Sequence, residues 1–123
     1  MRILLVEDNE MNRDMLSRRL FRKGHEVLVA GDGEQGITLA RAQSPDLILM
    51  DVGLPGMNGW DVTKQLKNDS STATIPVIAL TAHALQSDRE MAREVGCDEY
   101  ETKPVDFQRL LGKIDFLTGQ LRS

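Results

Sequence analysis

The sequence predicts an α/β fold: one parallel, five-stranded sheet with helices covering both of its faces. Three observations lead there. Short apolar runs rich in branched residues alternate with segments of helical spacing, giving five β/α units of about 25 residues each across the 123 residues. No repeat, linker or low-complexity segment interrupts the alternation. The strongest run, Leu47-Ile48-Leu49-Met50, is apolar at consecutive positions, as a strand buried on both faces requires.

Ile3 to Val6 reads as the first strand and ends in Glu7-Asp8-Asn9. Asn9 suits an N-cap for a helix over Glu10 to Lys23, in which Met11, Met15, Leu16 and Leu20 recur at helical spacing and Gly24 ends the run. Arg18, Arg19, Arg22 and Lys23 fit a solvated face favoured by the helix dipole, with a docking patch as the alternative. Glu26 to Ala30 is the second strand. The segment after Gly33 is a helix with Ile37, Leu39 and Ala40 available for packing, closing near Ser44-Pro45. The third strand runs into Asp51, where Gly53, Pro55, Gly56 and Gly59 turn the chain. A third helix from Asn58 or Gly59 to Asn68 carries Val62 and Leu66 inward, and Trp60 at its start reads as packed or partly exposed, with a partner contact as the alternative. Asp69 to Thr72 is a polar loop. Pro76, which has no amide proton to give a neighbouring strand, opens the fourth strand, Val77 to Leu80, and Thr81-Ala82-His83 follow. Ala84 to Val95 is a fourth helix stopped by Gly96, and Asp98 to Thr102 is a short, polar fifth strand ahead of Lys103-Pro104. Asp106 caps a last helix that runs to Leu117 with Phe107, Leu110, Leu111 and Ile114 on one face.

Composition narrows the function. A chain of 123 residues reads as a single domain, 1–123, large enough to bury a core without disulfides. The lone Cys97 forms no internal disulfide and reads as a small core residue, which fits a reducing cytoplasm. No run approaches the roughly 20 apolar residues that span a bilayer, and no signal-peptide pattern opens the chain. A net charge of -4 argues against nucleic acid as the main partner, because phosphate-backbone binding needs clustered Lys and Arg.

One motif misleads. Gly31-Asp32-Gly33-Glu34-Gln35-Gly36 matches the dinucleotide fingerprint and sits between a strand and a helix, but Asp32 and Glu34 would oppose a pyrophosphate. These glycines read instead as turn and packing residues. The strand ends are more informative. In a parallel sheet Glu7, Asp8, Asp51, Thr81 and Lys103 all emerge on one rim, which is where α/β folds bind ligands. Asp51 is there a candidate nucleophile or metal ligand, with a turn cap as the bland alternative. Gathered carboxylates repel one another unless a hard cation or an ammonium compensates them, and magnesium suits such oxygen ligands. Lys103 and the Thr81 hydroxyl supply a charge and a donor to oxygens that gain charge in phosphoryl transfer, with a carboxylate as nucleophile.

Glu7-Asp8 after an apolar strand, Asp51 followed by Leu54-Pro55-Gly56-Met57-Asn58-Gly59, then Thr81-Ala82 and Lys103-Pro104 resemble the receiver domain of two-component response regulators, over essentially the whole chain. The resemblance implies a flavodoxin-like sheet of order 2-1-3-4-5. It makes Asp51 the phosphoacceptor and places Mg2+ on Asp8, Asp51, the Gly53 backbone carbonyl and, through water, Glu7. It gives Thr81 and Lys103 the phosphoryl oxygens, and makes Tyr100 the switch aromatic that turns inward as Thr81 engages phosphate. The implied partners are a sensor histidine kinase or phosphotransfer protein as donor, and a downstream protein at the face of the fourth helix, fifth strand and fifth helix. Such a domain catalyses its own phosphorylation and dephosphorylation without an external substrate. Because the chain ends soon after its fifth helix, it looks most like stand-alone regulators of the chemotaxis and DivK kind; a piece of a hybrid kinase or longer regulator is the alternative. Gly53 and His83 occupy positions that vary in the family and tune the phosphoryl lifetime: Gly53 leaves space above Asp51, and His83 either orients water or simply sits in the loop after the fourth strand. An aspartyl-phosphate phosphatase, the competing class, usually has a second acid two residues after the nucleophile, where this chain has Gly53.

Overall fold

The computed structural model describes residues 1–82 and 85–119. They alternate strictly as β1 (Arg2–Val6), α1 (Glu10–Arg22), β2 (Glu26–Ala30), α2 (Gly33–Gln43), β3 (Leu47–Asp51), α3 (Gly59–Asn68), β4 (Val77–Thr81), α4 (Gln86–Val95), β5 (Glu99–Thr102) and α5 (Phe107–Thr118). The strands form one sheet of order β2-β1-β3-β4-β5, and every pairing is parallel. Successive side chains of a strand point to opposite faces, so each central strand feeds two cores. Leu4, Val6, Ile48 and Met50 pack under Ile37 and Ala40 of α2 and Val62 and Leu66 of α3. Ile3, Leu5, Leu47 and Leu49 pack under Leu16 and Leu20 of α1 and Phe107, Leu110 and Ile114 of α5. This two-sided burial is why β3 and β4 carry unbroken apolar runs, whereas the edge strand β2 leaves Glu26 and Val29 exposed.

Local chemistry sets the helix starts. Asn9, Asp32, Asn58 and Asp106 each accept a hydrogen bond from the amide three residues on, satisfying donors that have no partner inside the helix. α4 differs. It begins at Gln86 rather than Ala84, because Leu85 has extended backbone and no side chain with which to cap. His83 and Ala84 lie outside the described residues. Of the apolar residues at helical spacing in α1, Met11 and Met15 are 79% and 54% exposed. The inward stripe of α1 is narrow and is filled by Leu16 and Leu20, one turn apart, which leaves the methionines one position round the helix. Trp60 is half-buried.

The glycine motif after β2 is a packing device. The Gly31 amide is taken by Gln35 Oε1 at 2.9 Å and the Gln35 amide by Asp32 Oδ1 at 2.8 Å, so two of the motif's amides are spent within the chain. A Cβ at Gly36 would come within 2.9 Å of Val6, so the motif's last glycine lets α2 approach the sheet. Cys97 is half-buried against the α2 and α3 core, and burial pushes its thiol up to about 11. Among the described residues no helix is long and apolar enough to cross a membrane.

Candidate functional site

The site follows from the register. Val6 pairs with Met50, Asp51 with Leu80 and Thr81 with Thr102, so the residues at and just beyond these strand ends meet on one rim. The order reverses between β1 and β3, and a doubly wound sheet opens its crevice at such a reversal. Glu7, directly after β1, and Asp51, the last residue of β3, are 3% and 4% exposed, while the neighbouring Asp8 is exposed. Carboxylate oxygens of all three lie within 4.8 Å of one another. Lys103, directly after β5, reaches across the rim, with its Nζ 3.0 Å from Asp51 Oδ1 and 3.1 Å from Glu7 Oε1. Its backbone amide donates to the Thr81 carbonyl at 2.7 Å, tying the β5 end to the β4 end, and the Lys103-Pro104 peptide is cis. The Gly53 amide donates to Asp51 Oδ1 at 3.0 Å.

Charge is crowded here. Burial, reinforced by a hydrogen bond with Asp51 and repulsion from it, lifts the Glu7 carboxyl to about 7. Burial also opposes ionisation of Asp51, but the hydrogen bonds from Glu7, the Gly53 amide and Lys103 outweigh it and hold this carboxyl below its usual range. Partial burial works against the Lys103 ammonium, and its contacts with Asp51 and Glu7 overcome that, raising it. Near neutral pH the acid pair therefore shares one proton, carried by Glu7. Three clustered carboxylates, served by one ammonium and one shared proton, make a donor set that fits a hard divalent cation with oxygen ligands.

The rim lines a cavity of about 400 Å³ that includes Asp51, Thr81, Lys103 and also Asp88 from the first turn of α4. Glu7, Asp8, Asp51, Gly53, Thr81 and Lys103 are thus brought together as the sequence leads one to expect. Tyr100 is not among them; it sits half-buried on β5 between Arg89 of α4 and Lys113 of α5. The predicted lifetime-tuning position His83 lies outside the described residues. Two residues were missed by sequence reasoning. Asp88 lines the cavity because α4 starts beside it, and an acid in the first turn after β4 is the signal that could have found it. Gly59 carries α3 hard against the end of β3: a Cβ there would collide with the Asp51 carbonyl oxygen and lie 2.7 Å from Val52 Cα.

Residues 3–115 match the family model described as the response regulator receiver domain. The chain belongs to that family. It is 41% identical over 114 residues to protein PilH of Pseudomonas aeruginosa, a match covering 93% of this chain and 94% of that protein. It is 40% identical to the polar-differentiation response regulator DivK of Brucella anthropi, covering 95% of each. Among solved structures, chemotaxis protein CheY4 of Vibrio cholerae superposes with a TM-score of 0.89 at 28% identity over 94% of this chain and 97% of that one. The receiver domain of a sensor histidine kinase from Pseudomonas aeruginosa, which has a magnesium ion coordinated in its active-site cleft, superposes with a TM-score of 0.89 at 36% identity over 96% and 97%. This receiver is accordingly a response regulator receiver domain of two-component signal transduction, with the flavodoxin-like topology of its chemotaxis relatives.

Proposed function

We propose that this receiver takes a phosphoryl group onto Asp51 from the phosphohistidine of a sensor kinase or phosphotransfer protein, in a magnesium-dependent reaction, and uses the new charge to alter a partner-binding face. The observation that carries this reading is a buried Asp51 at the end of β3, 3.0 Å from the Lys103 ammonium and beside two further carboxylates. In the step, an Asp51 oxygen bonds to phosphorus as the bond from phosphorus to the imidazole nitrogen breaks, and the imidazole keeps the electron pair. Asp8, Asp51 and the Gly53 carbonyl would hold Mg2+ directly and Glu7 through water; when bound, the ion supplies positive charge to the phosphoryl oxygens. Lys103 already contacts Asp51, so its charge can follow the phosphoryl oxygens with little movement, and the Thr81 hydroxyl is a donor to another of them.

The signal then passes from Thr81 to Tyr100 and to the face of α4, β5 and α5, where a downstream protein binds. α4 suits a moving part. Ala92 is its one buried residue and its N-cap gives no side-chain bond, so it is the least anchored of the five helices. The domain, read as residues 1–123, works in the cytoplasm and catalyses its own phosphorylation and slow hydrolysis without an external substrate. The site is the same whether the receiver stands alone or belongs to a kinase or longer regulator. Incubation with Mg2+ and acetyl phosphate should add one phosphate by mass, and Asp51→Asn should add none. Undiminished uptake in that variant would remove Asp51 as the acceptor. Lys103→Ala should still bind Mg2+ yet fail to change the α4–β5–α5 face; a normal response there would contradict the role given to the lysine.

A further inference from the structure

Tyr100 is held from two sides. The Arg89 guanidinium of α4 lies 5.5 Å from its ring centroid and the Lys113 ammonium of α5 lies 5.6 Å from it, both within the range in which a cation is attracted to an aromatic face. The two cations are anchored differently. Lys113 Nζ donates to the Tyr100 carbonyl at 2.6 Å and pairs with Glu101 at 3.0 Å and Glu99 at 3.5 Å, so it is fastened to β5. Arg89 has no carboxylate partner among the described residues, and its helix buries only Ala92.

In the switch reading the half-buried ring moves inward from its edge strand, and such a movement gains apolar burial. Something must hold it where it is. The opposing attraction comes from the two cations, and it needs both helices in their present places. If α4 shifts, Arg89 leaves the ring while Lys113 stays with β5, so half of the restraint is lost in one movement. We propose that Arg89 and Lys113 form a two-sided cation clamp that sets the resting position of Tyr100, with Lys113 the fixed jaw and Arg89 the jaw released when α4 moves. Arg89 is then a positioning residue: it never meets the phosphoryl group but sets how often the ring visits the activated position before phosphorylation. The inference rests on the reading of Tyr100 as the switch aromatic.

The test exploits the composition, since Tyr100 is the only tyrosine. Incorporated 3-fluorotyrosine gives a single fluorine resonance, to be recorded with Mg2+ alone and with Mg2+ plus beryllofluoride, an acyl-phosphate mimic. Arg89 is the jaw to vary, because Lys113 also compensates buried Glu101 and its loss endangers the fold. The Arg89→Ala resting signal should move along the line joining the two wild-type positions, while its beryllofluoride signal stays in place. Removing one cation–π contact should raise the resting activated population, and with it the rate of phosphate uptake from acetyl phosphate, by roughly two- to fivefold. Arg89→Lys should restore most of both effects. A wild-type signal that ignores beryllofluoride would overturn the switch role of Tyr100 and the clamp with it. If the wild-type signal responds but Arg89→Ala neither moves along that line nor speeds uptake, the clamp alone is wrong.

Discussion

Asp51 is useful because its neighbours disagree about its charge. Burial opposes an anion there, while the hydrogen bonds from Glu7, the Gly53 amide and Lys103 support it and prevail. The types of these residues could be read from the sequence, since each stands at a strand end. Their support could not. Gly59 looks like one more turn residue in Leu54-Pro55-Gly56-Met57-Asn58-Gly59, yet it is the place where α3 touches the Asp51 backbone, and this contact depends on how the helix lies on the sheet. Gly59→Ala should therefore push Asp51 out of line, with overpacking costing about 1–3 kcal/mol in chemical denaturation and acetyl phosphate uptake falling at least about tenfold. Gly56→Ala is the control. Gly56 has φ 71° with open space around it, so alanine there should cost about 1 kcal/mol of backbone strain and leave uptake nearly unchanged. Equal uptake by the Gly59 variant and the wild type would show that the close approach does not position Asp51.

Among the elements, the helices divide into those the core fixes and those it leaves free. α2 and α3 each bury four residues and α5 three, whereas α1 buries two and turns Met11 and Met15 outward. Apolar residues that the core does not need call for another explanation. Met15 lines a groove of about 570 Å³ between α1 and the segment from Lys103 to Phe107, which opens beside the site through Glu7 and Lys103. In the proposed transfer a protein donor brings its phosphohistidine to this rim, and the groove offers apolar surface for it. Met15→Asp should slow transfer from a phosphorylated donor protein by about tenfold, while acetyl phosphate, too small to use the groove, should react at the wild-type rate. Equal loss with both donors would place Met15 in the site's own structure. The end of α2 makes a separate prediction. Ser44, its C-cap, is in the left-handed region at φ 46°, a conformation that suits glycine better. Ser44→Gly should raise stability by roughly 0.5–1 kcal/mol in urea denaturation, the strain relieved exceeding the added flexibility of the unfolded chain. A loss of stability would mean that the serine side chain matters more than its backbone.

For the whole molecule, the parallel sheet was legible because consecutive apolar residues such as Leu47 to Met50 admit burial only from both sides, and capping residues such as Asn9 and Asp106 marked the helix starts. The strand order was legible only through family resemblance, since periodicity says nothing about which strands are neighbours. Asp88 in the rim cavity, and Arg89 and Lys113 beside Tyr100 on the edge strand, escaped notice because α4 and α5 bring them there through long-range packing. With Mg2+ held at this acidic cluster as proposed, proton and metal binding become one property. Glu7 holds its proton up to about pH 7 in the metal-free fold against 4.5 for a free side chain, so the native state binds more protons than the unfolded one in between and loses stability as pH rises through that window. His25 acts oppositely: burial and the nearby N-terminal ammonium lower its pKa below 6.5, so its contribution is complete above that pH and is lost on acidification. Comparing stability with and without Mg2+ cancels the histidine, because His25 keeps its surroundings in both forms. What remains is the proton that Mg2+ must displace from Glu7. The stability gained with Mg2+ should therefore rise by up to about 1.4 kcal/mol per pH unit from pH 5.5 toward 7 and level off above it. Titration calorimetry in buffers of different ionisation enthalpy should find close to one proton released per Mg2+ at pH 6 and almost none at pH 8. A gain that is flat across this range would mean that Glu7 is already ionised in the metal-free fold, and that Lys103 alone balances the acid pair.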